Sequence, residues 1–110
     1  MTKDWFVAVN HEHAKIFNIE QGRLEFLSKI DNPLAAHKDS LFAKEVVDLL
    51  TVDLEKHGVD HITVAADSEI TDIMKTALEK SPFPSKVVWF EKDCAEMPTY
   101  KIEMLMMEMP

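Results

Sequence analysis

Two histidines separated by one residue, His11 and His13, have a spacing that could bind a metal ion. Alternate residues of an extended segment can point to one side, and imidazole nitrogens are ligands of transition metals. A third histidine, His37, could lie nearby, but no pattern fixes its position. We therefore interpret His11 and His13 as solvated histidines of a turn, with metal chelation as the alternative.

The single cysteine, Cys94, is the only thiol that could act as a nucleophile. Glu91, Asp93 and Glu96 lie beside it, and negative charges should raise its pKa and disfavour the reactive thiolate. One cysteine also excludes an intramolecular disulfide and a multi-cysteine metal site, which is typical of a reducing compartment. With two glycines in 110 residues, the chain has no glycine-rich phosphate loop and no GGQ tripeptide.

Acidic residues outnumber basic ones by 20 to 12, which gives a net charge of −8. No run of Lys or Arg forms a stripe that could follow phosphates, so we expect no DNA binding, and the charge disfavours RNA or a ribosome as partner. The first residues lead directly into an apolar strand. This predicts neither a signal peptide nor a membrane span, and hence a cytoplasmic protein without a membrane partner. No cofactor is predicted.

Apolar runs early in the chain predict three consecutive strands in an antiparallel meander. They cover residues 5–9, 14–19 and 24–30. Asn10 can turn the chain after the first strand, and Gly22 can take a positive φ after the second. Leu24, Phe26 and Ile30 alternate with polar residues, so the third strand should have one solvent-exposed face.

A loop over residues 31–38 is predicted to lead into a long helix. Asp39 or Ser40 should cap its start, and His57-Gly58 should end it. The helical period predicts an inward side. It consists of Phe42, Val46, Leu49, Leu50 and Leu54.

Residues 61–93 predict a strand, a helix and a strand, and we take this unit as the centre of the fold. Both strands, 62–66 and 87–90, are apolar without clean alternation, so each should be buried on two faces and the two should be parallel. The helix opens at Asp67-Ser68 and closes before Pro82. Its inward residues follow a 3.6-residue period. They are Ile70, Ile73, Met74, Ala77 and Leu78.

A last helix is predicted to begin at Met97-Pro98-Thr99, with its inward side formed by Ile102, Leu105, Met106 and Met109. Met104 and Met107 lie off that side and should be exposed. A methionine-rich helix usually packs on the core, because methionine fills irregular gaps. The alternative is that Met104 and Met107 form an interaction surface for a partner or a second copy.

The element order β-β-β-α-β-α-β-α is that of the ribonuclease H-like α/β fold. By analogy with that fold, we predict a mixed five-stranded sheet of order 3-2-1-4-5, with helices packed on it, in a single domain over residues 1–110. Enzymes of this fold hold metal ions with carboxylates from the first strand, the first helix and the fourth strand. The nearest candidates are Asn10, Glu45 and Asp67. Asn10 is not an acid and Asp67 can serve as a helix cap, so we interpret these positions as non-catalytic.

Short motifs along most of the chain resemble the host attachment family ("protein required for attachment to host cells"). They are residues 5–10, residues 14–17, Phe42-Ala43-Lys44, residues 62–66, Lys92-Asp93, Met97-Pro98 and Ile102. The chain has Asn10-His11 where that family usually has Asp-Gly, Tyr100-Lys101 where it often has His-Glu, and a shorter loop over 31–38. The resemblance implies a fold similar to the middle domain of archaeal and eukaryotic peptide-chain release factors.

These observations predict a small, cytoplasmic, non-catalytic member of the host attachment family that acts through contacts with a protein partner or as a homodimer. The first alternative is a ribosome- or tRNA-associated factor derived from a release-factor-like domain without the GGQ loop. The second alternative is a metal-dependent hydrolase.

Overall fold

The computed structural model describes residues 3–32 and 39–108, which form five strands and three helices. In chain order they are β1 (Asp4–Val9), β2 (His13–Glu20), β3 (Arg23–Asp31), α1 (Asp39–His57), β4 (His61–Ala66), α2 (Ser68–Lys80), β5 (Lys86–Glu91) and α3 (Thr99–Met107). Each predicted element is present. The third strand extends to Asp31, so the predicted loop begins later than expected. His37, Met109 and the capping side chains of Asp39 and Ser40 lie outside the described part of the chain.

All five strands form one sheet in the order β3-β2-β1-β4-β5, which confirms the predicted ribonuclease H-like topology. β1, β2 and β3 pair antiparallel, as in a meander. β4 is parallel both to β1 and to β5, and Thr63 lies opposite Val88 in the second of these pairs. The carboxyl ends of β1, β4 and β5 therefore meet at one edge of the sheet.

The β2–β3 hairpin turns at Gln21 and Gly22, with φ angles of 52° and 75°. Positive φ at both central residues matches the tight turn whose twist suits antiparallel strands. Asp67 caps α2, because its side chain accepts a hydrogen bond from the backbone N–H of Ile70 at 2.8 Å. The positive φ of Gly22 and the start of α2 at Asp67 were predicted from the residue types, whereas the positive φ of Gln21 was not.

The two faces of the sheet are covered unequally. α1 and α2 pack on one face, over a core that includes Trp5, Val7, Ile16, Ile62 and Val64. α3 covers the other face with Ile102, which is buried together with Phe6, Phe17 and Ala65. Since α3 has nine residues against 19 in α1, the second face has the thinner cover.

Three predictions of burial were wrong, and each error has a physical reason. Leu49 is exposed, because the buried arc of α1 is centred on Leu50 and is completed by Ala43 and Val47 on the opposite side. Phe26 is exposed on the edge strand β3, although its ring packs edge-on against Phe17 at 5.7 Å between centroids.

β5 is the other edge strand, and it is not buried on both faces as predicted. Val88 alternates with Val87 and Trp89, which pack with the core under α1 and α2. Its side chain therefore points to the face of α3 and is exposed there. None of the helices in the described ranges is long and apolar enough to cross a membrane.

Candidate functional site

A polar cluster lies at the carboxyl edge of the parallel strands, where open α/β sheets bind ligands. Asn10, which follows β1, is at its centre and is buried. Its Oδ1 accepts hydrogen bonds from the backbone N–H groups of Glu12 and His13, each at 2.8 Å. Its Nδ2 donates to Glu96 Oε1 at 2.9 Å. One side chain thus shapes the β1–β2 turn and connects it to the segment after β5.

His13 completes this connection. Its Nε2 lies 3.3 Å from Glu96 Oε1 and 3.2 Å from the backbone carbonyl oxygen of Ala95. The carboxylate of Glu12 belongs to the same group, in which one ligand atom from each of Glu12, His13 and Glu96 lies within 4.8 Å of the others. Across residues 3–32 and 39–108, no other group of three or more His, Cys, Asp or Glu side chains has this proximity.

The other half of the predicted H-x-H pair has a different environment. His11 is solvent-exposed, and its Nε2 lies 3.8 Å from Glu12 Oε1, outside the range of a hydrogen bond. Its backbone carbonyl oxygen accepts a hydrogen bond from Asn32 Nδ2 at 2.8 Å. The structure therefore separates His13, which belongs to the cluster, from His11, which lies at its margin.

The three positions that correspond to ribonuclease H-like carboxylates have separate surroundings. The Asn10 amide holds the turn, and Asp67 Oδ1 caps α2. Glu45 is exposed on α1. Neither Asp67 nor Glu45 belongs to the group formed by Glu12, His13 and Glu96.

Two titratable groups near this edge have shifted pKa values. The hydrogen bond from Asn10 lowers the pKa of Glu96, and the positive charges of His13 and nearby lysines contribute less. Burial raises the pKa of the Cys94 thiol to about 11, with a smaller contribution from Asp93. The thiol is therefore protonated at neutral pH, which agrees with the predicted lack of a reactive thiolate.

A second candidate region is the outer side of α3, which we call the α3 surface and define as Tyr100, Met104 and Met107. Met104 and Met107 are 62% and 81% exposed, as the helical period predicted, and Tyr100 is also exposed. The spacing i, i+4, i+7 places all three on one side of the helix. A cavity of about 450 Å³ adjoins this side. Its lining includes Lys92, Met97, Tyr100, Lys101, Met104 and Leu105.

Two further cavities lie on the opposite face of the sheet. One, of about 470 Å³, lies between α1 and α2 and is lined by Val47, Asp48, Ile73 and Ala77 among others. The other, of about 340 Å³, lies beside Trp5 between the sheet and the end of α1. Neither includes a member of the polar cluster.

Glu96 was not predicted as a site residue and was considered only as a neighbour of Cys94. Its contacts with Asn10 and His13 span more than 80 residues, and no local spacing indicates them. Tyr100 was noticed only as a departure from the host attachment pattern. Its place beside Met104 follows from the helical period and could have been predicted.

Solved structures with a similar fold include Pelota, a translation termination factor and RuvC. Pelota from Archaeoglobus fulgidus has a TM-score of 0.59 at 15% identity, with 96% of this chain and 31% of that chain covered. For the archaeal translation termination factor aRF1, the TM-score is 0.53 at 18% identity, with coverages of 98% and 35%. RuvC from T. thermophilus, solved with a Holliday junction, gives 0.53 at 7% identity, with coverages of 81% and 65%.

These similarities show the fold: a ribonuclease H-like domain that also resembles part of release-factor proteins. The chain spans about a third of the length of Pelota and of aRF1. No protein-family model matches the chain, and no curated protein matches it either. Membership of the host attachment family therefore stays a prediction.

Proposed function

We propose that this chain is a non-catalytic binding protein that acts through the α3 surface on a protein partner. We also propose that it is a cytoplasmic member of the host attachment family. Support for a non-catalytic role comes from the positions that carry carboxylates in ribonuclease H-like enzymes. Asn10 has no carboxylate and holds a turn there, and one carboxylate oxygen of Asp67 is taken up by the cap of α2.

The exposed apolar side of α3 is the single observation that carries the proposal. Three large side chains, Tyr100, Met104 and Met107, lie on one side of a nine-residue helix and face solvent. Clusters of exposed apolar side chains of this kind mark interaction sites, and flexible methionines adapt to the shape of a partner. The helix covers only part of its face of the sheet, which leaves room for a partner next to it.

The charges beside this surface indicate the chemistry of the partner. Lys92 and Lys101 line the adjoining cavity together with one acidic residue, Glu108, so lysines outnumber acids there although the chain as a whole has a net charge of −8. Local lysines around an apolar centre complement a segment whose apolar side chains are flanked by acidic ones. We therefore commit to an acidic amphipathic segment of another protein as the occupant of the α3 surface.

The probe for this proposal is a designed helical peptide with one leucine-rich side and one glutamate-rich side. We expect the peptide to shift the methyl NMR signals of Met104 and Met107. The double variant Met104→Glu with Met107→Glu should weaken binding at least about 10-fold, because each substitution buries a negative charge against the acidic peptide. Leu41→Glu with Val52→Glu is the matched control, because it alters two exposed apolar side chains on α1. Equal binding by the two double variants would refute the assignment.

Light scattering on the intact protein separates this partner from a second copy of the chain. A monomer that binds the peptide agrees with the proposal. A dimer that Met104→Glu with Met107→Glu converts to a monomer would instead assign the α3 surface to self-association, the homodimer considered from the sequence.

A role beside the ribosome or a tRNA is the second candidate, and the similarity to Pelota and to the termination factor aRF1 favours it. The chain lacks a GGQ tripeptide, so any such role would not include the release chemistry of that loop. Cosedimentation with ribosomes at low salt tests it. Binding that falls steeply as salt rises would indicate phosphate contacts and would favour this candidate over the protein partner.

A further inference from the structure

The cluster at the sheet edge contains three side chains that can coordinate a cation. His13 contributes an imidazole, and Glu12 and Glu96 contribute one carboxylate each. The His13 side chain is 13% exposed, whereas that of Glu96 is 63% exposed. One ligand is therefore held within the protein, while the carboxylates are open to solvent, as an accessible metal site requires.

The spacing of the ligand atoms fits a coordination sphere. Transition metals bind imidazole nitrogens and carboxylate oxygens at about 2.0–2.2 Å, so two ligands of a tetrahedral site lie about 3.4 Å apart. His13 Nε2 and Glu96 Oε1 are separated by 3.3 Å. A carboxylate oxygen of Glu12 lies within 4.8 Å of the ligand atoms of His13 and Glu96. Rotation of the exposed Glu12 side chain can bring its carboxylate closer. The Ala95 carbonyl oxygen, 3.2 Å from the same nitrogen, can supply a fourth ligand.

A second layer of contacts positions these ligands. The Asn10 side chain binds the backbone of Glu12 and His13 and donates to the carboxylate of Glu96. Such outer contacts orient metal ligands and raise the affinity of a site. A polar side chain that is itself buried therefore contacts all three members of the cluster.

We propose that Glu12, His13 and Glu96 bind one divalent first-row transition metal ion, with Zn²⁺ as the representative probe. The imidazole selects such ions over Mg²⁺ and Ca²⁺, which prefer oxygen ligands alone. The net charge of −8 favours any cation at the surface. In the structure, His13 Nε2 and Glu96 Oε1 contact each other, and a bound metal ion would take the place of that contact.

The metal would connect two parts of the chain that are distant in sequence. Glu12 and His13 lie at the β1–β2 turn, and Glu96 lies between β5 and α3. An ion that binds the folded chain and not the unfolded one stabilises the fold, and here it would fix the segment that precedes α3. This site is separate from the α3 surface, and neither proposal depends on the other.

Zn²⁺ titration of the intact protein, followed by calorimetry and by the imidazole NMR signals, tests the proposal. We expect one equivalent to bind, the His13 ring signals to shift, and the thermal midpoint to rise. Glu96→Gln should weaken binding at least about 10-fold, since it removes a charged ligand and retains an oxygen that can accept from Asn10. His13→Gln should weaken binding by as much or more.

His61→Gln is the matched control. His61 Nδ1 pairs with Asp4 Oδ1 at 3.1 Å, but within the described ranges this pair belongs to no group of three ligands. Its substitution should leave the affinity for Zn²⁺ unchanged. Equal affinities in wild type, Glu96→Gln and His13→Gln would overturn the site, as would a lack of binding at about millimolar Zn²⁺. A titration with Mg²⁺ that shifts the same signals equally would overturn the choice of metal.

Discussion

The side chain of Asn10 should be the most important polar group for the stability of the sheet edge. Asn10→Ala removes the acceptor of two backbone N–H groups, those of Glu12 and His13, in a partly buried turn. Each such hydrogen bond is worth about 0.5–1.5 kcal/mol, so their loss should lower the free energy of unfolding by about 1–3 kcal/mol. The bond to Glu96 adds little, because that carboxylate is exposed and solvent screens it.

Urea unfolding at pH 7 in the presence of a chelator measures this effect, with the slope m constant between variants. Glu96→Ala removes the contacts of an exposed carboxylate with the Asn10 amide and with His13, and it should cost much less than Asn10→Ala. Asn18→Ala, a half-buried asparagine in β2, is the matched control and should change stability by less than about 1 kcal/mol. If Asn10→Ala cost no more than Asn18→Ala, the amide would not be holding the turn and our reading of the cluster would be wrong.

Four further outcomes follow from a helix cap, a backbone angle and a buried thiol. Asp67→Ala should lower the free energy of unfolding by about 1 kcal/mol, because it removes the cap of α2. Asp72→Ala, on an exposed turn of α2, is the control and should have little effect. Urea unfolding measures both. Gly22→Ala should lower the free energy of unfolding by about 1 kcal/mol. The loss would come from the φ of 75° alone, because a Cβ at this position meets no atom within 4 Å. A loss near zero would contradict a strained turn. Folding raises the pKa of Cys94 from 9.0 to about 11, which lowers the thiolate fraction at pH 8 on the order of 100-fold. Iodoacetamide should therefore alkylate the folded protein at least that much more slowly than the urea-unfolded protein. This thiol favours folding fully below pH 9 and loses that contribution as pH rises towards 11. Stability should therefore fall more steeply over that interval in wild type than in Cys94→Ala.

Local patterns were sufficient to predict the elements and the centre of the sheet. The apolar period of α2 between two β-rich runs predicted that β4 and β5 are parallel neighbours, because a right-handed crossover has few other solutions. Asp67 and Gly22 were predicted because capping and positive φ are properties of single residues. Whether a residue lies in a helix or a strand, and how a turn folds, depends mainly on neighbours within a few positions. The sequence contains that local information.

Burial at the margins could not be predicted in the same way. Val88 has the residue type of a central strand, but β5 is an edge strand and α3 does not reach it. Phe26 alternates correctly and is nevertheless exposed, because the cover of its face is incomplete. Periodicity predicts which way a side chain points only where the strand is regular. Leu24 packs under α3 but Ile30 packs with the core under α1 and α2, because the β2–β3 register shifts between Ile16 and Phe17. The length and position of the covering helix then decide whether a side chain is buried.

The candidate site shows the same difference between local and distant information. His13 was visible from its spacing, but in the described part of the chain its partner is Glu96 and not His11. The contact arises because the carboxyl ends of β1 and β5 meet at one sheet edge with β4 between them. At the end of β1, where a metal-binding carboxylate was considered from the sequence, the chain has the amide of Asn10. That amide holds the turn that carries His13 and donates to the carboxylate of Glu96, which is the arrangement that the proposed single-ion site needs.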